Sequence, residues 1–172
     1  MTERQKYQVL QKFDDFELRL YDACVVAEVN INNDYAAATS AAFRPLFNYI
    51  SKGNAASQSI AMTAPVIATT DTNLDSDLWK VHFVMPAGSN LKDMPLPKDS
   101  NIELHELPAQ TCASSAFRGR ANKRLSEKEE KRLRLSAQKN NISLSQETRI
   151  CRFDPPFKPG ILQYNEIVIP IS

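Results

Sequence analysis

Two histidines, three cysteines and three carboxylates on predicted strands are the residues of this 172-residue chain whose chemistry could do more than pack or solvate. His82 sits in Val81-His-Phe-Val-Met-Pro86, where alternation gives it one strand face with Lys80 and Val84. A lone strand histidine of this kind is more often a surface or hydrogen-bonded residue than a metal ligand. His105 stands between Glu103 and Glu106 and reads as exposed. Neither has a second histidine or a carboxylate at ligand spacing, which argues against zinc or non-haem iron. Cys24, Cys112 and Cys151 form no Cys-x-x-Cys pair and are expected as reduced, packed thiols. Met62 could offer a thioether, but its place in an alternating run makes it core. Glu17, Glu103 and Glu166 are the strand carboxylates to consider for acid–base work, and each reads more simply as solvated or turn-bonding. No nucleophile, base and orienting group can be assembled from these residues.

What remains is apolar. Phe43 and Phe47, four apart, belong to a helical segment over 35–52, which the stretch Asn32-Asn33-Asp34 caps and Gly53 ends. One stripe of this helix, Ala38, Ala42, Leu46, Tyr49 and Ile50, suits packing on a sheet. A second stripe, Ala36, Ser40, Phe43 and Phe47, runs beside it. The combined arc is wider than one sheet covers, so part of it awaits another partner. Pro45 removes the amide that would bond the Ala41 carbonyl and is expected to kink the helix.

Strands are predicted over 7–13, 16–21 and 24–31, with Phe16, Leu18 and Leu20 facing in and Glu17 and Arg19 out. The run Ile60-Ala-Met-Thr-Ala-Pro-Val66 reads as a half-buried strand closed by its proline, followed by a polar loop over 69–77, a strand over 78–85 and a connector over 87–101. The order then begins again. Phe16-Glu-Leu-Arg is echoed by Ile102-Glu-Leu-His, Cys24 by Cys112, and Val81-His-Phe-Val-Met-Pro86 by Asn165-Glu-Ile-Val-Ile-Pro170. A second helix, with a Ser126-x-x-Glu129 capping box, and a strand over 149–153 complete the second copy. Each copy is marginal alone. The expectation is one domain over 1–172, built from pseudo-symmetric halves (about 14–86 and 100–172) that share a curved antiparallel sheet with two helices. The second helix has only Leu133 and Ala137 as a thin apolar strip, so spare apolar surface is confined to the first.

Composition sets the remaining limits. Hydrophobic residues make up 42% and charged residues 24%, as in ordinary globular domains. A net charge of +1 gives no overall field to attract nucleic acid, and no run approaches a membrane span. With no secretory signal pattern at its start, the chain reads as cytoplasmic.

The motif Ile60-Ala-Met-Thr-Ala-Pro-Val66, preceded by Phe43-x-x-Leu46-x-x-Tyr49-Ile50 and followed by Phe83-Val-Met-Pro86, Phe153-Asp-Pro-Pro156 and Asn165-Glu166, resembles the SOUL, or haem-binding protein, family in order and spacing. The resemblance implies an α+β fold in which a duplicated β-α-β-β unit forms a distorted antiparallel β-barrel with two helices, similar to bacterial effector-binding domains. It also implies non-catalytic binding of haem or a related tetrapyrrole. In one branch of the family the ligand lies between the first helix and the loop after the late Asp-Pro-Pro motif. The matching positions here are Ser40, Phe43, Phe47 and Asn48 on the helix and Phe157 and Lys158 in the loop. Where that branch has helix bases this chain has Ser40 and Asn48, and Arg44 is the available substitute. Another branch is proposed to ligate iron through a histidine in Glu-x-Arg-His-Tyr. Here the segment is Glu17-Leu-Arg-Leu20-Tyr21, and that ligand is absent.

A macrocycle burying about 400 Å² of apolar surface gains about 10 kcal/mol at ~25 cal/mol/Å², against an association cost of about 4–15 kcal/mol. Without an iron ligand the expected affinity is about micromolar or poorer, with little preference for the metal in the ring. The alternative is an effector or interaction module taking an amphipathic small molecule or a protein partner, and less favoured is a hydrolase.

Overall fold

The computed structural model describes residues 2–172. Its strands are β1 (Glu3–Arg4), β2 (Tyr7–Lys12), β3 (Glu17–Tyr21), β4 (Cys24–Asn32), β5 (Thr63–Ala64), β6 (Val66–Thr70), β7 (Leu78–Val84), β8 (Ile102–Leu107), β9 (Gln110–Arg118), β10 (Thr148–Arg152) and β11 (Tyr164–Pro170). The helices are α1 (Tyr35–Ile50) and α2 (Lys123–Lys139). Nine strands form one antiparallel sheet in the order β2-β3-β9-β11-β10-β6-β7-β4-β8, curled into a half-barrel. Leaving β2 aside, the order reads the same from both ends when the halves are exchanged, with β10 beside β6 at the centre. The first strand of each half pairs with the second strand of the other, β3 with β9 and β8 with β4.

Alternation divides the sheet into two faces. The outer face carries Val25, Ala27 and Val29 of β4, Val81 and Phe83 of β7, and Ile167 and Ile169 of β11, in one core with Ala38, Ala42, Leu46 and Ile50 of α1 and Leu133 of α2. This is the stripe expected of the first helix, and Asp34 caps it, accepting from the Ala37 amide at 3.0 Å. The inner face carries a smaller cluster with Tyr21, Val26, Ile67, Val84, Cys112, Cys151 and Val168. Among the described residues no helix covers that side, and its burial comes from the curl of the sheet and from Arg4 of β1 and Tyr7 of β2, which lie against it.

Three local expectations change. Residues 60–66 do not form one strand. Thr63 and Ala64 make a two-residue parallel pair with β1, the Ala64–Pro65 peptide is cis, and the long strand starts at Val66 and runs to Thr70. A proline without an N–H cannot continue a ladder, so it separates two strands where it was expected to end one. The second helix is capped by Asn122, which accepts from the Leu125 amide at 2.9 Å. Ser126 lies inside the helix, fully buried, with its hydroxyl 2.6 Å from the Tyr35 hydroxyl. Starting one turn early lets α2 dock this serine on α1. Finally, Arg19 does not face solvent, being 5% exposed on the inner face.

Candidate functional site

The outward strip of α1 starts from composition. Arg44 is the helix's one charged residue, so the side turned from the sheet is small or apolar apart from Ser40, Arg44 and Asn48, all exposed. Phe43 and Phe47 stack with ring centroids 5.7 Å apart and planes 12° apart. Four-residue spacing on a helix produces this contact. Phe43 is half-buried and packs edge-on against Phe83 of β7 at 5.6 Å, which fixes its ring. Phe47 stands on that support, 44% exposed. The pair therefore presents one aromatic surface with a rigid base.

The loop after β10 is rooted against the same helix. Arg152 donates from Nη1 to Thr39 Oγ1 at 3.0 Å and from Nη2 to the Tyr35 hydroxyl at 3.1 Å, holding the end of β10 on the first turns of α1. Beyond it, Asp154 accepts from the Tyr164 amide at 2.7 Å and pairs with Lys158 at 2.9 Å. That amide first, then Lys158, hold the Asp154 carboxyl below its ordinary range. Gln163 donates to the Lys158 carbonyl at 2.9 Å. Among the described residues, the hydrogen bonds and ion pair of Lys158 stay within its own loop, and Phe157 is 87% exposed. The structure thus joins Phe43 to Phe47 and anchors the loop root at Thr39. It forms no bond between the loop's Phe157 or Lys158 and the helix residues Ser40, Arg44 or Asn48.

The inner face holds a polar cluster that sequence reasoning placed at the surface. Glu166 is 4% exposed and accepts from Arg19 at 2.8 Å, the Tyr164 hydroxyl at 2.7 Å and Ser114 at 3.3 Å. Burial works to lower the Arg19 pKa, yet the bond to Glu166 and the field of Tyr21 and Glu166 keep it above its ordinary value. Burial, then its bond to Glu166, push the Tyr164 phenol up. The N-terminal strands close this end. The Tyr7 ring lies 4.0 Å from the Arg19 guanidinium, and Arg4 sits 4.8 Å from the Phe153 ring centre. Only about 30 Å³ of space remains between them, against Pro65, Cys151 and Glu166. The repeat offered a signal for this: Glu166 is the counterpart of His82, and both fall on the inner face.

His82 is 5% exposed, and neither ring nitrogen has a partner among the described residues. Burial, with smaller effects from Arg149 and His105, takes its pKa down to about 3. It was expected at the surface or hydrogen-bonded and is neither. His105 is partly exposed and pairs with Glu28. Both histidines alternate away from the residues that contact α1, so neither reaches a ligand lying on Phe43 and Phe47. No group of three His, Cys, Asp or Glu side chains suited to a metal ion occurs among the described residues.

The fold is similar to that of several solved structures. The C-terminal domain of EcmrR superposes with a TM-score of 0.71 at 15% identity, covering 96% of this chain and 98% of that one. A hydrolase from Listeria innocua gives 0.61 at 10% identity over 95% and 94%. SAV2435 bound to tetraphenylphosphonium gives 0.53 at 13% identity over 97% and 94%. At these identities the likeness is one of fold. A comparison with curated proteins finds no match to this chain. The sequence profile of the SOUL heme-binding protein matches residues 2–170. With that match spanning nearly every residue, the chain belongs to the SOUL heme-binding protein family.

Proposed function

We propose that this chain is a single domain of two interlocked halves that binds haem or a related tetrapyrrole, without catalysis, in a shallow apolar groove on α1. Ser40, Phe43, Arg44, Phe47 and Asn48 line it, and Phe157 and Lys158 approach from the loop after β10. The observation that supports this most is the stacked aromatic pair: a flat macrocycle needs a flat apolar surface with a fixed base, and Phe47 over Phe43 and Phe83 is one. Arg44, the sole charge on the helix, suits a propionate. Lys158 can reach a propionate only by sharing or leaving Asp154, which keeps its contribution small. No histidine is on this side of the sheet, so the ring binds by area and not by ligation, with about micromolar affinity or poorer.

Side-by-side titration of haem and metal-free protoporphyrin tests this. Similar affinities, both weakened by Phe47→Ala, are expected. A sharp low-spin haem spectrum, or a large preference for haem, would rule out the unligated mode.

The second reading, an effector module, draws on the inner face. Glu166, Tyr21, Tyr164 and Phe153 beside the small space under Arg4 would suit an amphipathic cation if the N-terminal strands lifted, and SAV2435, of similar fold, binds tetraphenylphosphonium. Retained haem binding by a Phe43→Ala/Phe47→Ala variant would favour this alternative.

A further inference from the structure

The turn that returns the chain from β10 to β11 places three large apolar side chains in solvent. Phe157 is 87% exposed, Ile161 80% and Leu162 51%. A single exposed side chain needs no explanation, but three within six residues of one loop do. The loop is tied by hydrogen bonds: a single 3-10 turn spans Gly160–Leu162, Gln163 donates back to the Lys158 carbonyl, and Arg118 donates to the Leu162 carbonyl at 3.1 Å.

The rim of this tip is basic. Arg118 and Arg120 are exposed at the end of β9 and just beyond it, with Arg120 packed so closely on the turn that a Cβ on Gly160 would meet its Nε at 3.3 Å. Lys158 lies within the loop. Against these three cations, segments 118–120 and 154–163 carry one acidic residue, Asp154, which pairs with Lys158. The local excess is two positive charges on a chain whose overall charge is +1. No helix among the described residues is long and apolar enough to cross a membrane. We propose that this tip is a peripheral membrane anchor, with Phe157, Ile161 and Leu162 entering the interface of an anionic bilayer while Arg118, Arg120 and Lys158 meet the lipid headgroups. The affinity is weak and reversible, because one apolar loop and two net charges give much less than a lipid chain.

The test uses the full chain with extruded vesicles of phosphatidylcholine alone or with about 30% phosphatidylserine, read by co-sedimentation. Partition onto the anionic vesicles, reduced by raising salt from about 50 to about 500 mM, is expected. The Ile161→Ser/Leu162→Ser variant changes only exposed side chains outside the proposed tetrapyrrole contacts, so the fold is retained, and partition should fall at least tenfold. Arg120→Ala should lower it about fivefold, the equivalent of about 1 kcal/mol per basic residue at an anionic surface. A wild-type chain that stays in the supernatant with anionic vesicles at low salt overturns the proposal and leaves the tip to a protein partner. Binding that the serine variant retains in full also overturns it, since the contact then lies elsewhere. Porphyrin titration of the same serine variant without vesicles reports on the tetrapyrrole reading separately.

Discussion

His82 offers a direct test of the inner face. Its ring is buried between β4 and β6, against Ile67 of β6, with Glu28 on β4, Arg149 on β10 and His105 on β8 as the charged or titratable groups in its surroundings. In the unfolded chain an unhindered histidine titrates near 6.5; in the fold the pKa is about 3. The folded pKa is the lower one, so the unfolded state takes up the proton first. The stability due to a neutral His82 is complete above pH 6.5 and is lost as the pH falls from there towards 3. At pH 5 the loss from this residue alone is about 2 kcal/mol, from roughly one and a half pH units at ~1.4 kcal/mol each. His82→Leu keeps the volume and removes the titrating group along with two buried nitrogens that lack partners. Urea unfolding of both proteins at several pH values between about 7.5 and 5 should give a wild-type stability that falls by about 2 kcal/mol more than the variant's. At neutral pH the variant should be at least as stable as wild type. Parallel pH profiles, or a His82 imidazole seen by NMR to titrate near 6.5, would refute the reasoning.

Two further predictions concern buried polar groups. Arg19→Met leaves the Glu166 carboxylate buried without its cation and should cost about 3–5 kcal/mol in thermal or urea unfolding, much of it recovered when Glu166→Gln is added; equal losses in the single and double variants would contradict the pairing. Asn54 is fully buried, donating to the Tyr49 and Gln58 carbonyls and accepting from the Gln58 amide; Asn54→Ala should cost about 1–3 kcal/mol and raise hydrogen exchange at Gln58, and an unchanged exchange rate would count against its holding that loop.

The outer face was legible in the sequence because helix and strand periodicities there agree: the stripe of Ala38, Ala42 and Leu46 lies in one core with the alternating Val25, Ala27, Val29, Val81 and Phe83. The order of the main strands and the two helices followed from the same patterns. The inner face was not legible. Arg19 and Glu166 look like solvent residues because alternation states only that they oppose the helix side. It does not state that the sheet curls and that Arg4 and Tyr7 of the N-terminal strands pack against that face. Which charges pair across β3, β9 and β11 depends on a swap of strands between the halves, and short-range spacing does not encode it. Ser126 failed as a cap for a related reason, since Asn122 and Ser126 are both good caps one turn apart and the docking of α2 on Tyr35 decides between them. Within the candidate site, the Phe43–Phe47 stack follows from four-residue spacing, while the closed bonding of Lys158 to Asp154 became visible only with the loop folded.

The central claim, an unligated macrocycle held on α1, is tested most directly by measuring haem and protoporphyrin binding to wild type and to Phe47→Ala by fluorescence quenching and absorption. Expected are similar, about micromolar or weaker affinities for the two rings, a five-coordinate or solvent-ligated haem spectrum, and a loss of about tenfold for both ligands in the variant, equivalent to about 1.4 kcal/mol of aromatic contact. Tight, low-spin haem binding that survives Phe47→Ala would contradict it.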